Sequence, residues 1–389
     1  MSNADQVAFR YQEEVTYGTL AGGNGVALRL TSESIVPDQP TVRSQEINST
    51  RETTSIQQVG NDPSGSVGGE LPYGAFDDFL DWLLYSTGWS APAAAVTNTN
   101  ISAQASDNSI NSASSGFDTG WAGRWIKISG FTGTTANNGI AYVVSATTAK
   151  LIISGITLVD DSAGESVTIK ASHRITNGTT QTSFSFEKAF GDLTNEFHVI
   201  TGCVLESGSF NLALRNLVSA TFNIQAKNYT PYTSTQMGTP TAAPTTDSIN
   251  TRSHVPKIFV GGRATANIGK ARDISITMAN NLRRRENIGD TSAESMGAGQ
   301  FAVSGTFQSY FTASSSILSV FQANTYTSLA IVLQDDAGNV YVIDLPSIKW
   351  SRCANVANAL NSDVINDCAF EARKHPTEGF TVRIHRIAA

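Results

Sequence analysis

Residues 69–84 read GELPYGAFDDFLDWLL. The apolar residues of this stretch recur at helical spacing and form one stripe, which predicts a short helix packed against a sheet. The stripe consists of Phe76, Phe79, Leu80, Leu83 and Leu84. Asp77, Asp78 and Asp81 lie off the stripe. Clustered carboxylates are typical of acid/base or metal sites. The sequence shows no partner residues that would converge with them, so we expect a solvated face favoured by the helix dipole.

The composition indicates a β-rich protein of more than one domain. The chain has 389 residues, of which 40% are hydrophobic and 15% charged, and this length exceeds one ordinary core. The net charge of −7 argues against a general nucleic-acid binder, which neutralises phosphates with clustered Lys and Arg. The one basic run, Arg283-Arg284-Arg285, is followed at once by Glu286, so a polar loop or a subunit contact is the preferred interpretation.

The sequence offers little catalytic or metal-binding chemistry. The five histidines are dispersed, and none has a Cys, Asp or Glu at metal-ligand spacing. They are His173, His198, His254, His375 and His385. The three cysteines, Cys203, Cys353 and Cys368, predict no disulfide framework and suit a reducing compartment. No apolar run reaches the length of a membrane span and no signal peptide is visible. We therefore expect no enzyme, no cofactor and no membrane association.

The order of elements in 257–389 repeats that of the first half. We expect five correspondences besides the polar arms at 41–60 and 283–300. They are SVGGEL (66–71) with AVSGTF (302–307), the helix at 75–87 with one at 314–323, 182–188 with 327–333, 197–207 with 341–351, and 219–227 with 366–374. The first half is longer by roughly the stretch 89–180, which alternates strands and turns as a separate small β domain would.

Two segments, 55–84 and 182–228, resemble the major tail tube proteins of long-tailed (siphovirus-like) bacteriophages. In that family a long polar loop precedes a Gly-containing strand, and a short apolar helix follows. Residues 116–155 resemble small β modules that recur inside such tail proteins. The resemblance implies a mainly β fold, with two tandem tail-tube β-sandwich or split-barrel domains, each with a short flanking helix, plus a small inserted β domain.

The resemblance also implies how the chain is divided. The predicted first tube domain is discontinuous and covers 1–89 and 180–230. An outward-projecting inserted domain would occupy 90–179, a linker 231–256, and the second tube domain 257–389. With two tube domains per chain, three chains would complete a pseudo-hexameric ring, so a homotrimer is expected.

By the same resemblance, the protein would be a structural subunit of the virion tail, made in the bacterial host cytoplasm. Its rings would stack into a hollow tube that conducts DNA from the capsid to the host during ejection. Expected partners are further copies of the chain, a tape measure protein inside the tube, and tail terminator and distal tail proteins at its ends. DNA would be a transient, non-specific cargo.

Two sets of residues follow from this interpretation. Candidates for inter-ring contact lie on the polar arms: Arg43, Glu46, Arg51, Glu52, Arg283, Arg284, Arg285 and Glu286. Helix packing is expected of the first stripe and, in the second copy, of Ile317, Leu318 and Phe321.

Two alternatives remain open in the sequence. The chain could be another tail structural protein, such as a tail-end or decoration protein. It could also be an adhesin, with Trp121, Trp125 and Tyr142 as an exposed sugar platform, although a small core inside the insert explains these aromatic residues as well.

Overall fold

The computed structural model describes residues 2–234, 236–264, 271–311, 316–357 and 359–389. Strands dominate these residues and two short α-helices accompany them, which confirms the predicted mainly β fold. The elements before the insert are β1 (Val7–Glu13), β2 (Asn24–Leu28), β3 (Ser32–Glu33), β4 (Thr41–Arg43), β5 (Ile56–Gln58), β6 (Ser64–Glu70) and α1 (Asp77–Leu83).

The middle of the chain contains the insert, defined here as 96–171, and the strands that follow it. The insert comprises β7 (Val96–Asn98), β8 (Ile101–Gln104), β9 (Ser109–Ser112), β10 (Trp125–Ser129), β11 (Gly139–Ala146), β12 (Lys150–Ser154) and β13 (Val167–Ala171). After it come β14 (His173–Thr176), β15 (Phe184–Phe190), β16 (Phe197–Ala213), β17 (Ser219–Gln225), β18 (Asn228–Thr233) and β19 (Gly238–Thr241).

The last third of the chain carries nine strands and the second helix in its described residues. They are β20 (Lys257–Val260), β21 (Ala271–Ala279), β22 (Arg283–Arg285), β23 (Ser295–Gly297), β24 (Ala302–Tyr310), α2 (Ser316–Gln322), β25 (Thr327–Gln334), β26 (Val340–Val356), β27 (Ile365–Ala372) and β28 (Arg383–Ile387). Short 3-10 helices lie at Ala4–Gln6, Thr119–Trp121 and Thr135–Asn137. The expected helix residues 314 and 315 lie outside the described residues.

The strand order occurs twice. The first repeat pairs its strands in the order β1–β15–β16–β17–β6–β3, and the second in the order β20–β25–β26–β27–β24–β21. In each repeat one strand of 17 residues, β16 or β26, pairs with β15 or β25 through its first half and with β17 or β27 through its second half. The short helix packs on that strand.

Irregularities in the ladders align the two repeats residue by residue. β16 is bulged at Glu206, between Leu205 and Ser207, and β26 is bulged at Ser351, between Trp350 and Arg352. A second bulge lies opposite Ser185 in the first repeat and opposite Ser328 in the second. Because bulges re-aim a strand and end its pairing, each long strand turns at the same point.

The expected correspondences are right for the order of elements but not for every residue. Through the ladders, Val67 of β6 corresponds to Phe307 of β24, and not to Val303, so the predicted alignment of these strands was displaced by four residues. The match of Gly65 with Gly305 has a physical basis. A Cβ would lie 2.5 Å from the Ser34 carbonyl at Gly65 and 2.2 Å from the Ser275 carbonyl at Gly305.

Part of the expected linker pairs with strands of the first half of the chain. β18 pairs with β16, and β19 pairs in parallel with β2, so 231–256 does not simply connect two domains. The chain division itself stays a prediction, although the insert has its own seven-stranded sheet and its own apolar core.

The insert is fastened to the second repeat by an apolar cluster. Trp125 and Ile140 of the insert are buried there against Phe259 of β20, among other side chains of the second repeat. The Trp125 and Phe259 ring centroids are 5.4 Å apart. The Lys257 ammonium donates to the carbonyl of Gly155 at 2.7 Å. The insert therefore connects the repeat that contains it in sequence to the other one.

A buried histidine lies beside this contact. The His385 side chain is fully buried, and its Nδ1 lies 2.8 Å from Ser172 Oγ. Burial lowers the pKa of His385 well below its usual value, and the guanidinium groups of Arg383, Arg174, Arg263 and Arg124 lower it further. His385 is therefore neutral in the folded chain.

We predict that the folded chain loses stability as the pH falls below about 6.5, the usual histidine pKa, because protons then bind His385 in the unfolded state first. This contribution is complete above pH 6.5. It is lost on acidification by up to about 1.4 kcal/mol per pH unit. Urea denaturation of the wild type and of His385→Gln at several pH values measures it: the difference between them should change with pH, and parallel profiles would contradict the prediction.

Candidate functional site

The two repeats share one sheet. Its strand order is β3–β6–β17–β16–β21–β24–β27–β26, in which β16 and β26 take part with their second halves. The junction is the antiparallel ladder between β16 and β21, which runs from Ser207 opposite Ala279 to Ala213 opposite Asp273. Each repeat contributes four strands, so this shared sheet crosses the whole chain.

One face of the shared sheet forms the main core. Its side chains alternate along the strands with those of the other face, as the pleat requires. The core-facing residues include Val67, Phe210, Phe222, Ile274, Ile276, Met278, Phe307 and Phe370, all at most 2% exposed. The helices α1 and α2 pack on this face through β16 and β26. The opposite face is therefore the one that is open to solvent.

The opposite face carries small hydroxyl and amide side chains across both repeats. We call it the polar face. It is defined by Ser66, Ser207, Ser209, Asn211, Ser219, Thr221, Asn223, Ser275, Thr277, Ser304 and Thr306. One row across the strands reads Thr221, Ser209, Thr277 and Ser304. These groups are uncharged, and they do not present the clustered cations that would hold a nucleic-acid backbone.

The charges at the margins of the polar face are mainly negative. The carboxylates of Glu70, Asp273, Asp367 and Glu371 lie on this face, together with the cations Lys349 and Arg352. The Arg352 guanidinium lies 2.6 Å from the Asp367 carboxylate, which also accepts from Gln308 at 3.1 Å. One cation is thus paired with one of the carboxylates, and acidic side chains outnumber basic ones at the margins of this face.

The three aspartates of the opening stretch do not converge on one site. Asp77 accepts hydrogen bonds from the Tyr341 hydroxyl and from the Arg386 guanidinium. Asp78 accepts from the Tyr11 hydroxyl at 2.9 Å, and Asp81 accepts from the Gly88 N–H at 3.1 Å. The expectation of a common solvated face was therefore wrong for Asp77, which is 9% exposed.

Asp77 connects the first repeat to the second. Its partners Tyr341 and Arg386 lie on β26 and β28, and the Tyr341 hydroxyl also accepts from the Gly74 N–H at 2.8 Å. The Arg386 guanidinium lies 4.4 Å from the ring centroid of Trp89. Burial raises the pKa of Tyr341 and lowers that of Arg386. The charge is kept inside because it is paired.

The expected packing residues lie in or beside the core. Those of the first helix, Phe76, Phe79, Leu80, Leu83 and Leu84, are at most 2% exposed. Ile317 of α2 is buried as well, whereas Leu318 and Phe321 are half-buried.

The arm residues do not share one environment. Most are exposed: Arg43, Glu46, Arg51, Glu52, Arg283, Arg285 and Glu286. Arg284 instead binds the first repeat of the same chain, through the Asp62 carboxylate at 3.0 Å and the carbonyls of Asn61 at 2.9 Å and Ala226 at 3.2 Å.

Other candidate sites are occupied by packing. Trp121 and Trp125 are fully buried, so they cannot form an exposed sugar platform, and Tyr142 packs against the Trp125 ring. Within the described ranges, no three His, Cys, Asp or Glu side chains are grouped as metal ligands. No helix in those ranges has the length and apolarity to cross a membrane.

The cysteines depart from the expectation. Cys353 and Cys368 face each other across β26 and β27 and form a disulfide. The sequence does not predict this pair, because the two cysteines are 15 positions apart and only the register of β26 against β27 brings them together. Cys203 is free and buried, and burial raises the pKa of its thiol, which makes it unreactive.

Comparison with known protein families gives a match. A family model described as phage tail tube protein matches residues 4–372. A search of curated proteins found no match.

We predict that Asp77→Asn destabilises the chain by about 3 kcal/mol, since it removes the buried negative charge that pairs with the Arg386 guanidinium, even though the amide oxygen can still accept a hydrogen bond. Asp78→Asn is the matched control in the same helical turn. Asp78 is exposed and its replacement can still accept from Tyr11, so a loss below about 1 kcal/mol is expected. Urea denaturation of the purified chains compares them, and equal losses would contradict the role given to Asp77.

Proposed function

Because this chain belongs to the phage tail tube protein family, we propose that it builds the tube through which DNA leaves the capsid, with the polar face of the shared sheet lining the lumen. The observation that carries this proposal is the polar face itself. It is continuous across both repeats, uncharged at its centre and mainly negative at its margins. The centre of such a surface gives DNA phosphates no cations to pair with.

Three chains form one ring in this proposal. Each chain contributes two similar sets of four strands, so three chains supply six sets around the axis. Closure into a barrel leaves no free sheet edges. The result is a homotrimer with pseudo-sixfold symmetry rather than a hexamer.

The insert lies on the outside of the proposed ring. It packs on Phe259, Ala330 and Val332, among others, from β20 and β25. These side chains alternate with core residues such as Leu329 and Ile331, so the insert lies across the core from the polar face. Each ring would therefore carry three outer lobes, one for each chain.

Stacking of the rings completes the tube. The exposed ends of the two polar arms are suited to contact the next ring, because their charged side chains have few partners in the isolated chain. Tape measure, terminator and distal tail proteins would occupy the lumen and the two ends, and DNA would pass through the tube as non-specific cargo.

Electron microscopy of the concentrated protein tests this function. We expect hollow tubes or rings whose end-on projections show three outer lobes. Six outer lobes would overturn the trimer, and compact monomers under all conditions would overturn the tube.

A charge placed on the polar face tests the lumen directly. We predict that tails assembled with Thr221→Lys and Ser275→Lys form normally but eject DNA at least about tenfold more slowly, because each ring then presents six ammonium groups to the phosphates. Val144→Lys, on an exposed position of the insert, is the control for added charge. DNA release from purified particles is followed with a dye, and ejection at the wild-type rate would place the lumen elsewhere.

A further inference from the structure

We propose that the contact between the two repeats of one chain is the template for the contact between neighbouring chains, and that it fixes the register of that interface. The proposal rests on the tube function and adds the residues that close the ring. Within the chain, β16 of the first repeat pairs with β21 of the second over seven residues. The repeats are therefore joined head to tail, and a head-to-tail contact leaves one unused edge at each end.

Both unused edges are present. In the first repeat, the segment formed by β3 and Val36 is the counterpart of β21 in the second repeat. This segment pairs with β6 on one side. In the second repeat, the end of β26 is the counterpart of the end of β16. This end of β26 pairs with β27 on one side. In the described residues no strand pairs with the other side of either segment. A second copy of this chain supplies the missing neighbour at each edge.

The bulges transfer the register from one contact to the other. Ser207 follows the bulge of β16 as Arg352 follows that of β26, and Ala279 of β21 corresponds to Asp38 after β3. Since Ser207 lies opposite Ala279, Arg352 is assigned opposite Asp38 of the next chain. The two side chains carry opposite charges and both are exposed. The Arg352 guanidinium, which already pairs with Asp367 of its own chain at 2.6 Å, would then lie between two carboxylates. Opposite charges directly across an antiparallel pair are favourable.

Side chains of the same chain form hydrogen bonds with the backbone groups at the free edge of the first repeat. The Ile35 N–H donates to the Glu33 carboxylate, and the Ile35 carbonyl accepts from the Lys188 ammonium at 2.7 Å. The corresponding residue Ile276 lies opposite Phe210 in the ladder between repeats. Pro37 lacks an N–H, which removes one bond from the ladder and is typical of a strand at a sheet edge.

The arms support the same assignment. The hairpin β4–β5 corresponds to β22–β23, so that Arg43 takes the position of Arg284 and Ile56 that of Met296. Met296 is 3% exposed and packs on the first repeat with Tyr85 and Val204. Ile56, in contrast, is 56% exposed.

The base of the first arm is therefore assigned to the neighbouring chain of the same ring. Arg43 and Ile56 would dock on its second repeat as Arg284 and Met296 dock within the chain. This leaves the arm tip, residues 46–52, for the next ring, and it removes Arg43 and Arg284 from the inter-ring set.

Charge reversal with rescue tests the register. We expect Arg352→Glu to raise the protein concentration needed for ring formation at least about tenfold, because it sets like charges against each other. Asp38→Arg should act similarly, and the double variant should return to within about threefold of the wild type. Arg252→Glu makes the same charge change at an exposed position outside this edge and should assemble normally. Sedimentation velocity measures assembly, and circular dichroism verifies the fold.

A second pair of variants tests the arm. Arg43→Glu should impair ring formation, whereas Arg51→Glu at the arm tip should leave single rings intact. Normal rings from both Arg352→Glu and Arg43→Glu, or a double variant no better than the worse single one, would overturn this inference while leaving the tube function in place. A wild-type chain that never forms rings would overturn the tube function and this inference with it.

Discussion

The unpaired edge of a β-sheet is the constraint from which the architecture follows. Backbone N–H and C=O groups on an edge strand need partners, and an exposed edge recruits other chains. This chain satisfies one such edge internally, where β16 meets β21. It covers part of another with the Glu33 and Lys188 side chains. In the proposed ring, the presence of two repeats in one chain converts half of the edge contacts into contacts within a chain.

The two repeats keep their geometry through backbone features more than through side-chain identity. Equivalent bulges, equivalent long strands and the close approach at Gly65 and Gly305 recur, although most core side chains differ. The two repeats differ in the additional contacts that they make. One carries the insert, and the other carries the residues that receive Asp77 and the insert's Trp125. Each half therefore depends on the other for buried contacts.

Sequence patterns could predict the order of elements and the apolar helix, because Phe76, Phe79 and Leu83 recur at the spacing that places them on one face of a helix. They could not fix the alignment of β6 with β24. Strand alternation has a period of two, so a displacement of four residues keeps every side chain on its own face. The partners of Asp77 lie 264 and 309 positions away, beyond any local pattern. Alternation along a strand separates its two faces, but the sequence does not say which face is open, since that depends on where α1 and α2 pack.

The location of the insert also orders events in time. β6 pairs with β17, and the insert is synthesised between them, so the first repeat cannot close until the insert has emerged from the ribosome. The insert's strands pair with one another, which allows it to fold early. Completion of the first repeat in turn exposes the β16 edge on which β21 can dock. The chain is thus expected to mature in sequence, and the β16 edge is covered once β21 of its own second half has been synthesised.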